Sequence, residues 1–255
     1  MTSLRFGGTS WVIPGSFAEN LRCLSKDVSD MEIVLFDTEY GCNLPSRDEV
    51  RELRELCIEF GMSCTVHFPR DICPSVDAAE RVRCEDSALR TLELFAPLEP
   101  FAWVLHLLGE VRGGPVSADV ERWRSDTRKS AARVASAVDK RFKVCVETLD
   151  FDYEYVEDIV RESGFSVCLD VGHLIKRGCR VREQCEKYIP DTRVLHVHGV
   201  KPDGEDHSDL TFFDEELLKW IAERYGDGKE RVASIEVFEG DYARSLPVLR
   251  KLRLI

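Results

Sequence analysis

The chain of 255 residues lacks any apolar stretch approaching the length of a transmembrane helix. Crossing the hydrocarbon layer of a membrane takes about 20 consecutive apolar residues, and no segment of the sequence meets that requirement. The opening residues Met1-Thr2-Ser3-Leu4-Arg5 also lack the apolar run of a secretion signal. We therefore expect a soluble, cytoplasmic protein without a membrane partner.

Positive charge is scarce as well, because 35 lysines and arginines stand against 47 aspartates and glutamates and leave a formal net charge of −12. Nonspecific binding to DNA, RNA or anionic membranes depends on clustered basic side chains, so this balance opposes such partners. It favours a small molecule as the substrate. It makes no prediction about oligomeric state.

The sequence also lacks pairs of cysteines at the spacing of a zinc knuckle. The ten cysteines lie scattered through predicted strands, helices and loops. A reducing cytosol favours thiols over disulfides. We expect Cys145 and Cys168 to be small buried strand residues and the other eight to be thiols outside disulfides.

What the sequence does contain is an alternation of β-branched apolar runs with longer stretches of helical period. This pattern is typical of repeated βα units around a parallel sheet. The predicted strands are residues 4–9, 31–36, 63–68, 102–107, 143–148, 165–170, 193–198 and 232–238. The length fits one barrel of eight such units, so we predict an α/β fold in which residues 1–255 form a single (β/α)8 TIM-barrel domain.

Local signals add detail to this prediction. Ser46 is a predicted cap of the second helix, and Gly61 is predicted to end that helix. The longest loops, residues 109–117 and 199–213, each follow a predicted strand and are candidate lids. Loops after the strands build the active face of such a barrel.

Histidines and carboxylates end or closely follow these strands. A single strand-end histidine is more often a hydrogen-bonded structural residue, but a barrel directs all of its strand ends towards one mouth. Imidazole and carboxylate together are good ligands for divalent transition metals. The candidate metal ligands are His67, His106, Glu147, Asp170, His173, His196, His207 and Glu236.

Two short spacings make the site more specific. Asp170 ends a strand and His173 lies three residues later in a predicted turn, so both can face one cavity. His196 and His198 alternate on one strand face, which favours His196 as a ligand and His198 as its supporting partner or a substrate contact. The candidate substrate-binding residues of the mouth are Asp37, Glu39, Asn43, Arg70, His198 and Lys201.

In chain order these ligands resemble those of the apurinic-endonuclease branch of the xylose-isomerase-like barrel superfamily, which also includes sugar isomerases and epimerases. The resemblance covers almost the whole chain. Within the superfamily the chain looks most like the cobamide-remodelling phosphodiesterases. The similar segments are residues 34–36, 43–45, 65–67, 145–150, 167–174, 194–200 and 206–207.

The resemblance implies a hydrolase that cleaves the nucleotide-loop phosphodiester of a cobamide and releases cobinamide phosphate. It implies two or three divalent metal ions, with zinc foremost and manganese or iron as alternatives, and it makes Glu147 and Glu236 the catalytic bridges between them. One departure is Glu205, which stands where the endonuclease pattern has an aspartate two residues before His207. Either Glu205 or Asp206 is then the candidate partner of His207.

Other functions stay open at this point. A sugar isomerase or epimerase needs one metal held by Glu147, Asp170, His196 and Glu236, but that function leaves the remaining histidines unexplained. A non-catalytic cobamide- or metal-binding protein would retain the same barrel mouth. A DNA-repair endonuclease must grip a duplex, and the acidic sequence has no basic stripe for that task.

Overall fold

The computed structural model describes residues 4–73, 78–111 and 113–255. At its centre, eight parallel strands close into a barrel, with the first strand hydrogen-bonded to both the second and the last. The barrel strands are Leu4–Thr9, Asp30–Val34, Ser63–His67, Ala102–Leu105, Val144–Glu147, Ser166–Asp170, Thr192–Val197 and Arg231–Ile235. The predicted (β/α)8 fold class is confirmed.

Helices connect the strands and cover the barrel. They are Phe17–Leu24, Arg47–Phe60, Ala78–Phe95, Val120–Ser136, Glu157–Ser163, Val171–Lys176, Val181–Tyr188, Glu215–Tyr225 and Glu239–Lys251, with 3-10 turns at Ala96–Leu98, Arg141–Lys143, Tyr153–Tyr155 and Leu210–Phe212. A small antiparallel hairpin pairs Asp37–Thr38 with Gly41–Cys42 after the second barrel strand. Within the described ranges, no helix combines the length and apolarity that a membrane span requires.

The helix Arg47–Phe60 shows how local sequence sets the ends of an element. The Ser46 hydroxyl accepts a hydrogen bond from the Glu49 backbone N–H at 3.2 Å, and the Glu49 carboxylate accepts one from the Ser46 N–H at 2.7 Å. Gly61 ends the helix at φ +65°, where a side chain would be strained. Both predicted end signals are confirmed.

Apolar residues fill two regions of the barrel. The larger core lies between strands and helices, and a smaller cluster joins residues of adjacent strands, among them Val104, Cys145, Cys168 and Val194. Cys145 and Cys168 are therefore buried strand residues, as predicted. In the part of the chain that the structure describes, no two cysteines form a disulfide.

All eight predicted strands are present, and the differences concern their ends. Six predicted strands run one to three residues too far, and in three of these cases His106, His198 and Glu236 lie just beyond the strand rather than in it. The prediction of a turn at His173 is wrong. This residue lies in the short helix Val171–Lys176, because the Asp170 carboxylate accepts the His173 backbone N–H at 2.7 Å and caps the helix.

The loop after the seventh strand is held by its own backbone. Gly199 donates to the carbonyl of Ser208 at 2.7 Å, and Ser208 donates back at 3.1 Å. The loop then runs into the turn Leu210–Phe212. It therefore presents His207 from a hydrogen-bonded hairpin. Of the other predicted lid, residues 109–117, position 112 lies outside the described residues.

Candidate metal centre

The predicted metal ligands lie at the carboxyl ends of neighbouring strands. His67, Glu147 and Asp170 are the last residues of their strands. The strand and loop positions bring all eight side chains to one mouth of the barrel. There they form several groups that share residues, and within each group the ligand atoms lie within 4.8 Å of one another. We name three of these groups site A (His67, His106, Glu147), site B (Glu147, Asp170, His196, Glu236) and site C (Asp170, His173, His198, His207).

Site A contains two imidazoles that face each other. The Nε2 atoms of His67 and His106 are 3.0 Å apart, and His106 Nε2 is 2.9 Å from Glu147 Oε2. Behind the rings, His67 Nδ1 donates to the Phe68 carbonyl at 3.0 Å, and His106 Nδ1 lies 2.8 Å from Asp71 Oδ1. These outer acceptors leave both Nε2 lone pairs directed into the site.

Site B places one imidazole nitrogen among three carboxylates. His196 Nδ1 lies 3.1 Å from Glu236 Oε2, 3.3 Å from Glu147 Oε2 and 3.8 Å from Asp170 Oδ2. All four side chains are buried. The same Glu147 oxygen approaches His106 of site A, so Glu147 lies between the two sites.

Site C is built around Asp170 and two histidines from different elements. His173 Nδ1 is 3.0 Å from Asp170 Oδ2, and the rings of His173 and His207 have centroids 5.5 Å apart. His207 Nε2 also lies 3.4 Å from Glu236 Oε2, which links this site to site B.

His198 holds site C together from behind. Its Nδ1 accepts the His207 backbone N–H at 2.9 Å, so the ring proton is on Nε2, which lies 3.2 Å from Asp170 Oδ1. Its ring stacks on that of His207 at 4.2 Å, and His207 has the unusual φ of +52°. His198 is fully buried, which fits the first of its two predicted roles, that of a supporting partner, and its role as a substrate contact stays a prediction.

The carboxylate beside His207 is Asp206. Asp206 Oδ1 lies 3.4 Å from His207 Nδ1, and Asp206 Oδ2 lies 2.7 Å from Lys176 Nζ. Glu205 instead pairs with Lys201 at 2.7 Å. Of the two candidates, Asp206 is therefore the one whose carboxylate lies beside His207, and its role as a metal ligand stays a prediction.

The shared carboxylates are strongly acidic in this setting. Burial raises the pKa of Glu147, but the charges of His106 and His196 outweigh burial and hold that pKa well below its usual value. Burial likewise raises the pKa of Glu236, and His196 and His207 outweigh it and hold that pKa well below its usual value too. Both carboxylates are therefore ionised, as metal ligands must be.

The histidines of site C are correspondingly basic. Burial lowers the pKa of His173, but Asp170 and Glu147 outweigh it and raise this pKa to about 9. Burial also lowers the pKa of His207, and Glu236 raises it to about 9. Without metal these imidazoles carry protons at neutral pH, so a metal ion that binds them must displace those protons.

Several buried atoms of site B have no hydrogen-bond partner among the described residues. They are His196 Nδ1, His196 Nε2 and Glu236 Oε2. Buried polar atoms are nearly always paired, because leaving one unpaired costs about 1–3 kcal/mol. A divalent cation would accept the lone pairs of the Nδ1 and carboxylate atoms, so the donor set fits a metal.

Two residues that contact the ligands were missed by sequence reasoning. Asp71 accepts from His106, and Glu32 Oε1 lies 3.1 Å from His196 Nε2. The available signal for Glu32 was a carboxylate inside the apolar run Met31–Phe36 of a predicted strand. For Asp71 only its place four residues after His67 marked it as a mouth residue.

The predicted substrate-binding residues are placed unevenly. Arg70 Nε donates to Asp37 Oδ2 at 3.0 Å, so these two form an ion pair at the mouth. Glu39 is exposed in the turn of the small hairpin. The Asn43 amide contacts backbone groups: it accepts from the N–H of Phe36 at 2.7 Å and donates to the carbonyl of Val34 at 3.0 Å, and its substrate-binding role stays a prediction.

A sequence model of the xylose isomerase-like TIM barrel family matches residues 30–251. The chain belongs to this family. The superfamily predicted from the ligand order is thereby confirmed, and its members are mostly enzymes. No protein of curated function matches the sequence.

Solved structures share the fold over nearly the full chain. A D-tagatose 3-epimerase-like protein is 19% identical, with a TM-score of 0.77 and coverage of 98% of this chain and 97% of that one. Endonuclease IV from Thermus thermophilus is 19% identical, with a TM-score of 0.72 and coverage of 98% and 99%. The IolI protein, solved with a bound zinc atom, is 12% identical, with a TM-score of 0.68 and coverage of 98% and 96%. At these identities the likeness establishes the fold alone.

Proposed function

We propose that the protein is a metal-dependent phosphodiesterase that hydrolyses the nucleotide-loop phosphodiester of cobamides to give cobinamide phosphate. The observation that carries the proposal is the overlap of sites A, B and C through shared carboxylates. A single-metal enzyme needs only the four residues of site B. Histidines on both sides of that site favour a cluster of two or three ions.

Glu147 occupies the central position in this cluster. Its Oε2 approaches His106 at 2.9 Å and His196 at 3.3 Å, while its Oε1 lies 3.4 Å from His173 Nδ1. One carboxylate thus faces a histidine of each site, which is the arrangement expected of a bridging ligand. Glu236, between His196 and His207, is the second candidate bridge.

The donor set supports zinc first, with manganese or iron as alternatives, because it consists of imidazole and carboxylate. Cys168 also lies near Glu147 and His196. Burial raises the pKa of the Cys168 thiol well above its usual value, so a metal ion that bound this sulfur would first have to displace its proton. The proposed cofactor is two or three divalent ions held by the nitrogen and oxygen atoms of the eight predicted ligands.

When bound, such ions neutralise phosphate charge, lower the pKa of an attacking water and stabilise the departing oxygen. The protein's own part is to hold the ligands in place. Asp71 orients His106, and His198 orients Asp170 and the backbone of His207. Arg70 and Lys201, in the loops after the third and seventh strands, are the cationic groups proposed to contact the phosphate.

Aromatic rings beside site C support a large organic substrate. Trp11 and Phe238 are about two-fifths exposed, at 39% and 41%, and the Phe238 ring lies 6.1 Å from that of His207. The Glu239 backbone N–H donates to the Trp11 carbonyl at 2.7 Å and joins the two loops. Exposed rings at a polar mouth provide flat apolar surface for planar groups.

The test combines metal analysis of the purified protein with mass spectrometry of products from an adenosylated cobamide. We expect at least two metal equivalents, cobinamide phosphate among the products, loss of turnover on chelation, and recovery with zinc or manganese. Unchanged turnover after complete demetallation would reject the proposal.

A second candidate is a sugar isomerase or epimerase, which the compact quartet of site B favours. The variant His106→Ala separates the two, because it removes a ligand of site A and leaves site B complete. Phosphodiester hydrolysis should then fall steeply, whereas sugar isomerisation by site B would persist. A protein that only binds cobamide or metal would release its ligand unchanged in both assays.

A further inference from the structure

Glu32 is a buried carboxylate that the proposed chemistry does not use. It lies in the middle of the second barrel strand, Asp30–Val34, and is fully buried. Neither of its oxygens has a hydrogen-bond partner within the described part of the chain. Burying an ionisable group is costly unless it is paired, so its position calls for a partner.

The group within reach is His196. Glu32 Oε1 lies 3.1 Å from His196 Nε2, whereas the three carboxylates of site B face the other ring nitrogen, Nδ1. The distance suits a hydrogen bond, but the ring is not turned for one, and both His196 nitrogens lack an aligned partner among the described residues. The His196 ring therefore lies between Glu32, which faces Nε2, and the carboxylates of site B, which face Nδ1.

We propose that Glu32 is the positioning residue of site B, accepting the Nε2–H of His196 so that the Nδ1 lone pair is directed to the metal. A metal-binding histidine commonly donates its other ring N–H to a carboxylate or carbonyl, which fixes the tautomer and the ring orientation. Asp71 stands in that relation to His106 in site A. The inference rests on the metal centre of the proposed function and does not depend on the phosphodiester.

A direct ligand role for Glu32 is the competing interpretation. A carboxylate oxygen of Glu32 lies within 4.8 Å of ligand atoms of His67 and Glu236. The 3.1 Å approach to His196 Nε2 favours positioning, because a proton on that nitrogen is what a carboxylate accepts. The two roles predict different metal stoichiometries, which a titration measures directly.

The experiment is a zinc titration of the metal-free, full-length protein against a chromophoric chelator. Glu32→Leu removes the acceptor, and the near-isosteric Glu32→Gln keeps an amide oxygen that still accepts Nε2–H. Asp30→Asn is the matched control, because Asp30 is a fully buried carboxylate two residues earlier that contacts the Ser63 hydroxyl rather than a metal ligand. Far-UV circular dichroism of each metal-free variant checks that the barrel has folded.

We expect every variant to bind the wild-type number of zinc equivalents. The affinity for one of these zinc equivalents should fall by about 10-fold in Glu32→Gln and by up to about 100-fold in Glu32→Leu. This is the range observed when a metal ligand loses its hydrogen-bond partner. Asp30→Asn should bind as the wild type does. If Glu32→Leu does not fold, the loss in Glu32→Gln decides.

Two results would overturn the inference while leaving the metal centre intact: wild-type affinity in both Glu32 variants, or loss of one whole zinc equivalent in both, which would make Glu32 a ligand. A wild-type protein that binds no zinc would overturn the metal centre and this inference together. Because the titration uses no substrate, a failed hydrolysis assay is a separate outcome.

Discussion

A buried charged residue lies at each end of the eighth barrel strand, but the two residues differ in how completely their polar atoms are hydrogen-bonded. Arg231, its first residue, is fully buried and ion-paired with Asp227. Its guanidinium donates to three backbone carbonyls at 2.9 to 3.0 Å, those of Thr192, Tyr225 and Ile189. Glu236 directly follows the same strand and is also buried, yet its Oε2 has no hydrogen-bond partner among the described residues.

This difference distinguishes a residue that stabilises the fold from a residue that can bind a ligand. A buried charge with every donor paired holds the surrounding backbone and has nothing left to offer a ligand. The carboxylate of Glu236 faces His196 and His207 and keeps lone pairs available for a cation. Barrels of this fold place their active sites at the carboxyl ends of the strands, where Glu236 lies, and stabilising residues at the amino ends, where Arg231 lies.

The largest effect that would test this contrast is expected from Glu147→Gln. The substitution keeps the shape of the side chain but removes the charge that sites A and B share. We expect hydrolysis to fall by more than about 100-fold, beyond the loss typical of an outer partner. More than one metal equivalent should be lost, as measured by elemental analysis.

The metal-free form supplies the control for this variant. Because the buried charge of Glu147 pairs with His106 and His196, the metal-free Glu147→Gln protein should unfold at a lower midpoint than the wild type, and far-UV circular dichroism below that midpoint checks that its barrel is folded before metal content and turnover are compared. Full metal content together with normal turnover would show that Glu147 is not the bridge between the sites.

Arg231→Met should lower the stability of the protein and leave its metal content unchanged. It leaves three backbone carbonyls without their donor and breaks an ion pair whose aspartate is 30% exposed, and each buried polar group left unpaired costs about 1–3 kcal/mol of unfolding free energy. Zinc equivalents per folded molecule should stay unchanged. Urea denaturation and metal analysis together check the prediction, and an altered stoichiometry in the folded fraction would mean that the two ends of the strand are coupled.

The sequence was sufficient for the fold because its signals are local. Apolar β-branched runs, the capping box at Ser46 and the left-handed Gly61 each act over a few residues, and the structure has them where they were predicted. The ends of strands were less accurate, since the residues after a strand keep an apolar pattern while the backbone already turns. His106 and Glu236 illustrate this error.

The site was predictable only where residue type and barrel geometry agree. Histidines at strand ends had to converge, and they do. Glu32 was missed because a carboxylate within an apolar strand does not reveal which distant side chain it meets, and the backbone partners of Asn43 were likewise not predictable from a sequence pattern. Contacts between distant elements decide such roles.

Asp71→Asn tests the outer support of site A and should have a smaller effect. Asn still offers an oxygen to His106 Nδ1, but the charge that strengthens this contact is lost. The Asp71 side chain is also 46% exposed, so solvent weakens the contact. We expect zinc affinity of one equivalent to fall by about 10-fold, at the low end for such partners. An unchanged affinity would show that His106 needs no help in orientation.

A pH dependence of stability is also expected at the carboxyl end of the barrel, over a range in which Arg231 at the amino end does not titrate. The pKa values of His173 and His207 are raised to about 9 in the metal-free fold, above the value of about 6.5 in an unfolded chain. A raised folded-state pKa contributes stability that is fully present below about pH 6.5 and is lost as the pH rises through about 9. Arg231 stays charged throughout this range and contributes no slope.

The unfolding midpoint of the metal-free protein should therefore fall between about pH 6.5 and about pH 9, by about 2–4 °C for each kcal/mol lost. Zinc affinity should rise over the same range, because fewer protons must be displaced from the imidazoles. Replacing His207 by Gln should reduce both slopes, while Arg231→Met should lower the midpoint equally at every pH. A flat midpoint for the metal-free wild type would show that the carboxylates of sites B and C do not hold protons on these histidines, and the contrast between the two ends would then rest on hydrogen-bond pairing alone.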